Sequence, residues 1–332
     1  MTHRSLPSVR PAAESAPAAL FPAGWLARFH YLALRAERVG VSPLFAKRPR
    51  KLPAGGTEAT GVRDYCPGDD LRYVDWHLCA RRDEVMTRTF EGTGDLHVSV
   101  LLDVSRSMGV DSADAGRHGS PAGAKFKLAR QMAAACGCWA LENLAAFSLV
   151  TFSGGLGPAL RRLRGRWRLV QVLRFLEPLQ PDAAPTDLAA AAAAFVRLPQ
   201  PRGPVVVISD LLDRAGFVTG LDMLRYHGFA AAVVHLYAAE DAEPPRLGDV
   251  ELVDCETGSR QLATVTERAA ARYRQRFARF LEQVEDYCTR RTLPWVRLRA
   301  DVAEERALRA ILGLPDGGVR SSHVAKTPAF GP

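Results

Sequence analysis

Leu101-Leu102-Asp103-Val104-Ser105-Arg106-Ser107-Met108 decides how this chain folds. A nearly continuous apolar run, Leu96–Leu102, leads into a carboxylate, and two hydroxyls follow it at alternate positions. A short run of that kind, without polar alternation, reads as a strand buried on both faces. Phe147–Phe152, Val205–Ile208 and Ala230–Tyr237 read the same way. Between these runs, helical patterns cover Lys125–Ala145, Trp167–Leu176, Leu188–Val196 and Phe217–Tyr226. Strand and helix in alternation predict right-handed crossovers and an α/β class with a doubly wound, mostly parallel sheet. Further on, Asp249–Cys255 and Arg260–Thr264 flank Glu256-Thr257-Gly258 as a hairpin insertion. A long helix from Val265 to Arg290, a strand at Trp295–Leu298 and a last helix from Val302 to Leu312 complete the pattern.

In an open parallel sheet, ligands gather beyond the carboxyl ends of the strands. Three loops there carry oxygen donors: Asp103, Ser105 and Ser107 on the first, Thr186-Asp187 on the second, and Ser209-Asp210 on the third. Carboxylates and hydroxyls are hard ligands, suited to Mg²⁺ or a similar cation and not to zinc. Taken alone, a D-x-S-x-S string is also what a Ser-rich helix cap looks like. Three such loops at equivalent strand ends favour the metal. The residues resemble the metal-ion-dependent adhesion site of von Willebrand factor type A domains. That resemblance implies Asp103, Ser105 and Ser107 from the first loop, Thr186 from the second and Asp210 from the third. It also implies an open coordination position that accepts a carboxylate from a protein partner. Asp187 reads either as support for the ligands or as an acidic residue favoured at a helix N-terminus.

The second informative string runs from Gly61 to Trp76, with Pro67-Gly68 as its turn. Asp69, Asp70 and Asp75 lie among Arg63, Arg72, Arg81 and Arg82, close enough in sequence for a charge-paired network. The reading preferred is structural, a turn that pins the N-terminal segment to the sheet; the other is an acid/base or metal pair at Asp69 and Asp70. Arg63, Tyr65, Pro67, Gly68, Asp69, Asp70, Arg72, Asp75 and Trp76 resemble the R-x-Y-x-P-G-D-D-x-R-x-x-D-W hallmark of a bacterial family. That family is catalogued as domain of unknown function number fifty-eight. Here the hallmark precedes Asp103 by 27 residues, counted from Trp76. The resemblance covers roughly residues 25–313 and implies a von Willebrand factor type A-like, Rossmann-like sheet. It also implies a soluble member, because the two N-terminal membrane helices of many relatives are missing, and a MoxR-type AAA+ ATPase as partner. The Gly-, Ser- and Asp-rich stretch 110–124 is longer than the usual link after the metal strand and is expected at the rim of the site.

The 332 residues, 47% hydrophobic and 24% charged, are ordinary globular composition. No apolar run is long enough to cross a bilayer. Lys+Arg exceed Asp+Glu by 44 − 36 = 8, and only five of the basic residues are lysines. The excess is arginine scattered over helix faces and loops, without the aromatic-interleaved stripe of a nucleic-acid binder. Cys66, Cys79, Cys136, Cys138, Cys255 and Cys288 form no CxxC pair and sit at no zinc-ligand spacing to a histidine, so they read as reduced thiols of a cytoplasmic protein. The N-terminus lacks the apolar core of a secretory signal. The expected organisation is a disordered tail over 1–22, an N-terminal helix (Trp25–Val39) and β-rich segment over 23–94, the sheet domain over 95–313, and a flexible tail over 314–332.

The function expected is a metal-dependent protein-interaction module and not an enzyme, since no nucleophile or general base stands beside the carboxylates. The alternatives are a Mg²⁺-dependent phosphate-ester hydrolase using Asp103, Asp210 and Asp187, or a basic nucleic-acid-binding protein, which the charge pattern disfavours.

Overall fold

Leu26, Phe29, Leu32, Ala33 and Ala36 recur three and four residues apart, and helix α1 (Trp25–Val39) forms there, burying Trp25, Phe29, Leu32 and Ala36. The computed structural model describes residues 20–39, 59–65, 74–82, 84–90, 96–109, 123–182, 184–243, 247–254 and 258–315. After α1, strands β1 (Ala59–Asp64) and β2 (Met86–Phe90) pair antiparallel around helix α2 (Trp76–Arg82). This is the small β-rich segment expected ahead of the main sheet.

The main sheet begins with β3 (His97–Asp103), followed by the short helix α3 (Arg106–Gly109), helix α4 (Ala124–Glu142), and strands β4 (Ala146–Phe152) and β5 (Leu156–Leu163). Helices α5 (Leu169–Leu176) and α6 (Leu188–Val196) lead to β6 (Pro204–Ser209), α7 (Phe217–Tyr226), β7 (Ala230–Tyr237) and α8 (Ala239–Ala242). The hairpin β8 (Gly248–Val253) and β9 (Arg260–Val265) is set apart as its own two-stranded sheet. Helix α9 (Glu267–Arg290), strand β10 (Trp295–Arg299) and helix α10 (Glu304–Ile311) close the fold. The six-stranded order is β10-β7-β6-β3-β4-β5, parallel except for β5. The chain is therefore the doubly wound α/β protein that its strand and helix alternation predicts.

Successive side chains of a strand point to opposite faces, and here that divides the interior into two layers. Val98, Val100, Leu102, Val206, Ile208 and Val234 face a core shared with α1, α4 and α10. Leu101, Val150, Val205, Val207 and Val233 face the other core, under α6, α7 and α9. Leu101 lies opposite Val150 on one side and Val207 on the other, which fixes the register of the central strands.

One expectation is corrected and one strand is added. The tail does not extend to residue 22: Leu20 is 7% exposed within the first core, its carbonyl accepts a bond from Gln131 Nε2 at 2.8 Å, and Phe21 packs edge-on against Trp25. Apolar side chains at 20 and 21 draw the chain onto the body three residues earlier. Strand β5 is an element that the strand and helix alternation does not announce, and its Arg161 and Arg162 are exposed. At the sheet edge a strand tolerates Pro158 and outward arginines, so no apolar run marks it.

His97 opens β3, buried, with Nε2 bonded to Ser148 Oγ at 2.8 Å. Burial, and then the charges of Arg162 and Arg164, hold its imidazole below the usual 6.5. The ring is neutral in the fold but takes up a proton near 6.5 once unfolded. Its stabilisation is therefore full above that value and is lost as pH falls below it. Between pH 7 and 5, urea denaturation of His97→Gln should show a smaller loss of stability than wild type. Equal losses in the two proteins would contradict this account.

Candidate functional site

Strand β3 runs on to α4 and β4 on one side, while β6 returns to its other side. The crevice between the carboxyl ends of β3 and β6 is thus the switch point of the sheet, where open α/β folds place ligands. Asp103 ends β3 and Asp210 follows β6, and both are buried. Asp103 Oδ1 accepts the Ser105 amide at 2.8 Å, and Asp103 Oδ2 accepts the Ser209 hydroxyl at 2.5 Å. Ser105 Oγ lies 3.1 Å from Ser107 Oγ, and a hydrogen bond from Ser107 also reaches Asp210. Asp210 Oδ1 accepts the Leu212 amide at 3.1 Å. Leu211, between them, sits in the left-handed region at φ 56°, and its amide donates to Ser209 Oγ at 2.9 Å. That tight turn aims Asp210 back at the first loop.

The loop carrying Thr186 is tied in from three directions. The Asp187 amide donates to Ser153 O at 2.9 Å, the Leu188 amide to Asp213 Oδ2 at 2.9 Å, and the Asp182 amide to Val104 O at 2.5 Å. Thr186 itself is 5% exposed. Asp187 caps α6, accepting the Ala190 amide at 2.7 Å. Of its two readings the structure therefore gives the helix N-terminus. Gly220 of α7 lets α6 approach closely: a Cβ there would stand 2.8 Å from Leu188 O. The structure thus brings Asp103, Ser105, Ser107 and Asp210 into one hydrogen-bonded group, with Thr186 buried on an adjoining loop.

Two residues of this network, Lys125 and Asp241, go unread in the sequence. Lys125, at the start of α4 and 4% exposed, reaches Asp210 Oδ2 at 2.8 Å and Asp241 Oδ2 at 3.0 Å. Asp241 also accepts the Ala238 amide at 2.7 Å, fixing α8 to the site. Ser209 completes the network through its bond to Asp103. The available clue was scarcity, since Lys125 is one of five lysines in an arginine-rich chain.

Charge decides what the group can hold. Burial, and then the charge of Asp210, push the Asp103 carboxyl up to about 7, against the bonds from Ser209 and Ser105. Burial would also raise Asp210, but Lys125 outweighs it and holds that carboxyl below its usual range. Burial opposes the Lys125 ammonium in turn, and its two carboxylate partners overcome that and stabilise it. Buried His235 is pushed down to about 3, first by burial and then by Arg297. Asp103, Asp210 and Asp241 against Lys125 leave two formal negative charges. Oxygen donors alone, with two charges to balance, fit a hard divalent cation.

Only part of the second predicted set falls within the described residues. Pro67, Gly68, Asp69, Asp70 and Arg72 lie outside the described residues, as does the stretch 110–122, and Arg63 is placed only as backbone on β1. The Tyr65 amide donates to Val85 O at 2.8 Å. Asp75 caps α2, its Oδ1 accepting the Leu78 amide at 3.1 Å, while its own amide donates to Met86 O. Trp76 opens α2 at 65% exposure. Asp75 thus holds a local turn, and Trp76 does not serve as a core anchor.

The model of the family "Protein of unknown function DUF58" matches residues 61–286, more than half of the chain. The chain belongs to this family. An uncharacterized protein of Mycobacterium tuberculosis is 28% identical over 220 residues, covering 62% of this chain. The chain spans 63% of that relative's length. Among solved structures, BatB from Bacteroides thetaiotaomicron is similar at 15% identity and a TM-score of 0.38, covering 66% of this chain and 97% of BatB. An aerotolerance-related membrane protein from Bacteroides fragilis has 16% identity and the same TM-score, 0.38, over 65% of this chain and 96% of its own. Among the described residues of this family member, no helix is long and apolar enough to cross a membrane.

Proposed function

We propose that Asp103, Ser105, Ser107, Thr186 and Asp210 hold a hard divalent cation, Mg²⁺ or else Mn²⁺ or Ca²⁺, in a metal-ion-dependent adhesion site. In this reading the protein is an interaction module, an adaptor or partner of a MoxR-type AAA+ ATPase in the assembly or remodelling of protein complexes. The observation that carries the metal is the buried pair Asp103 and Asp210, with hydroxyls as neighbours and with Lys125 offsetting only one of the three carboxylates Asp103, Asp210 and Asp241. A bound cation supplies an electrophilic position that a partner's carboxylate can occupy. The protein's own part is to hold the hydroxyls and carboxylates in place before the partner arrives. The ATPase as partner follows from the family resemblance. No observation favours the hydrolase, since Asp187, its third carboxylate, caps α6.

Affinity capture tests this reading. Wild-type protein should retain a MoxR-type ATPase with Mg²⁺ and release it with a chelator, while folded Asp103→Ala should retain none under either condition. Equal capture by wild type and Asp103→Ala would sink the proposal.

A further inference from the structure

Away from the strand ends, α1 and α4 bring together a second and chemically different set of donors. His30 Nε2 contacts Glu142 Oε1 directly; Cys138 Sγ lies 3.5 Å from Glu142 Oε1 and 3.9 Å from His30 Nε2. All three ligand atoms fall within 4.8 Å of one another. Cys138 and Glu142 share one flank of α4, a single turn apart, and His30 faces them from α1, 108 residues away from Cys138 in sequence. That separation is why a search for local zinc spacing passes over it.

We propose that His30, Cys138 and Glu142 form a metal site for a borderline, thiolate-accepting cation of the Zn²⁺ class, which clamps α1 to α4. Metal–sulfur bonds of about 2.3 Å and metal–nitrogen or metal–oxygen bonds of about 2.0 Å put tetrahedral ligands roughly 3.5 Å apart. The two contacts to sulfur, 3.5 and 3.9 Å, are already near that edge. Only the His30–Glu142 contact must open, and those side chains have room, at 43% and 30% exposure. Thiolate with imidazole selects against Mg²⁺, so this site and the oxygen-only site at the strand ends take different ions. One thiolate and one carboxylate neutralise a divalent charge, leaving a fourth position for water. Burial, then the charge of Glu142 and its hydrogen bond, push the Cys138 thiol up, so without a cation it keeps its proton. On binding, the metal replaces that proton, which leaves to solvent, and His30 coordinates as neutral imidazole.

Metal-free full-length protein titrated with Co²⁺ should show a thiolate-to-cobalt charge-transfer absorption that saturates at one equivalent and is displaced by Zn²⁺. The band should vanish in Cys138→Ser and need at least tenfold more Co²⁺ in His30→Ala, a partly exposed position where misfolding is not at issue. It should persist in Cys136→Ser, and also in Asp103→Ala, which separates this site from the one at the strand ends. Absence of the band in wild type, its survival in Cys138→Ser, or an unchanged Co²⁺ requirement in His30→Ala would overturn the proposal.

Discussion

Replacing Lys125 by Met should destabilise the metal-free protein by about 3–5 kcal/mol, the cost of leaving buried charge without its partner. The ammonium is 4% exposed and bonds Asp210 at 2.8 Å and Asp241 at 3.0 Å. Met preserves much of the length and packing of the side chain while deleting its charge. Two carboxylates then lose the positive charge that offsets their desolvation and keep only bonds from neutral donors such as the Leu212 and Ala238 amides, and Asp103 already suffers from the proximity of Asp210. Adding Asp210→Asn to Lys125→Met should recover part of the loss by removing one of the stranded charges. Mg²⁺ should also recover part of it, because a cation at Asp210 supplies the missing positive charge. Urea denaturation with and without Mg²⁺ reads all three effects. A loss below about 1 kcal/mol in Lys125→Met would place the pair among exposed salt bridges, contrary to its burial.

Phe29→Ala should cost about 3–5 kcal/mol, the range for deleting a large buried aromatic. Phe29 is 0% exposed, stacks on Trp25 at 6.0 Å between ring centroids, and belongs to the same core as Val100 of β3 and Leu308 of α10. The expected result is one cooperative transition, shifted as a whole, with tryptophan fluorescence and far-ultraviolet circular dichroism still coincident. If α1 were a loosely attached segment, fluorescence would change early while the main transition kept its midpoint. That outcome would contradict a shared core.

The sheet was legible because β3, β4, β6 and β7 are buried on both faces and so leave unbroken apolar runs. β5 was not, because an edge strand needs no such run and this one carries Pro158, Arg161 and Arg162. Asp103, Ser105, Ser107 and Asp210 were legible because they follow predicted strands, while Thr186 lies between α5 and α6 and is marked only by the Ala-rich helix after it. Lys125 and Asp241 were not, since 116 residues separate them and only the folded chain brings their side chains together. The His30, Cys138 and Glu142 group was hidden for the same reason. Local spacing reads donors on one element, while tertiary contacts assemble them from two.

A cation at the end of β3 is what the site is built to hold in this proposal, and calorimetric titration of Mg²⁺ into chelator-treated protein tests it most directly. Wild type should bind one Mg²⁺ saturably, and folded Asp103→Ala should give no binding heat above dilution. Mg²⁺ binding of equal strength in the two proteins, or none in wild type, would contradict the account.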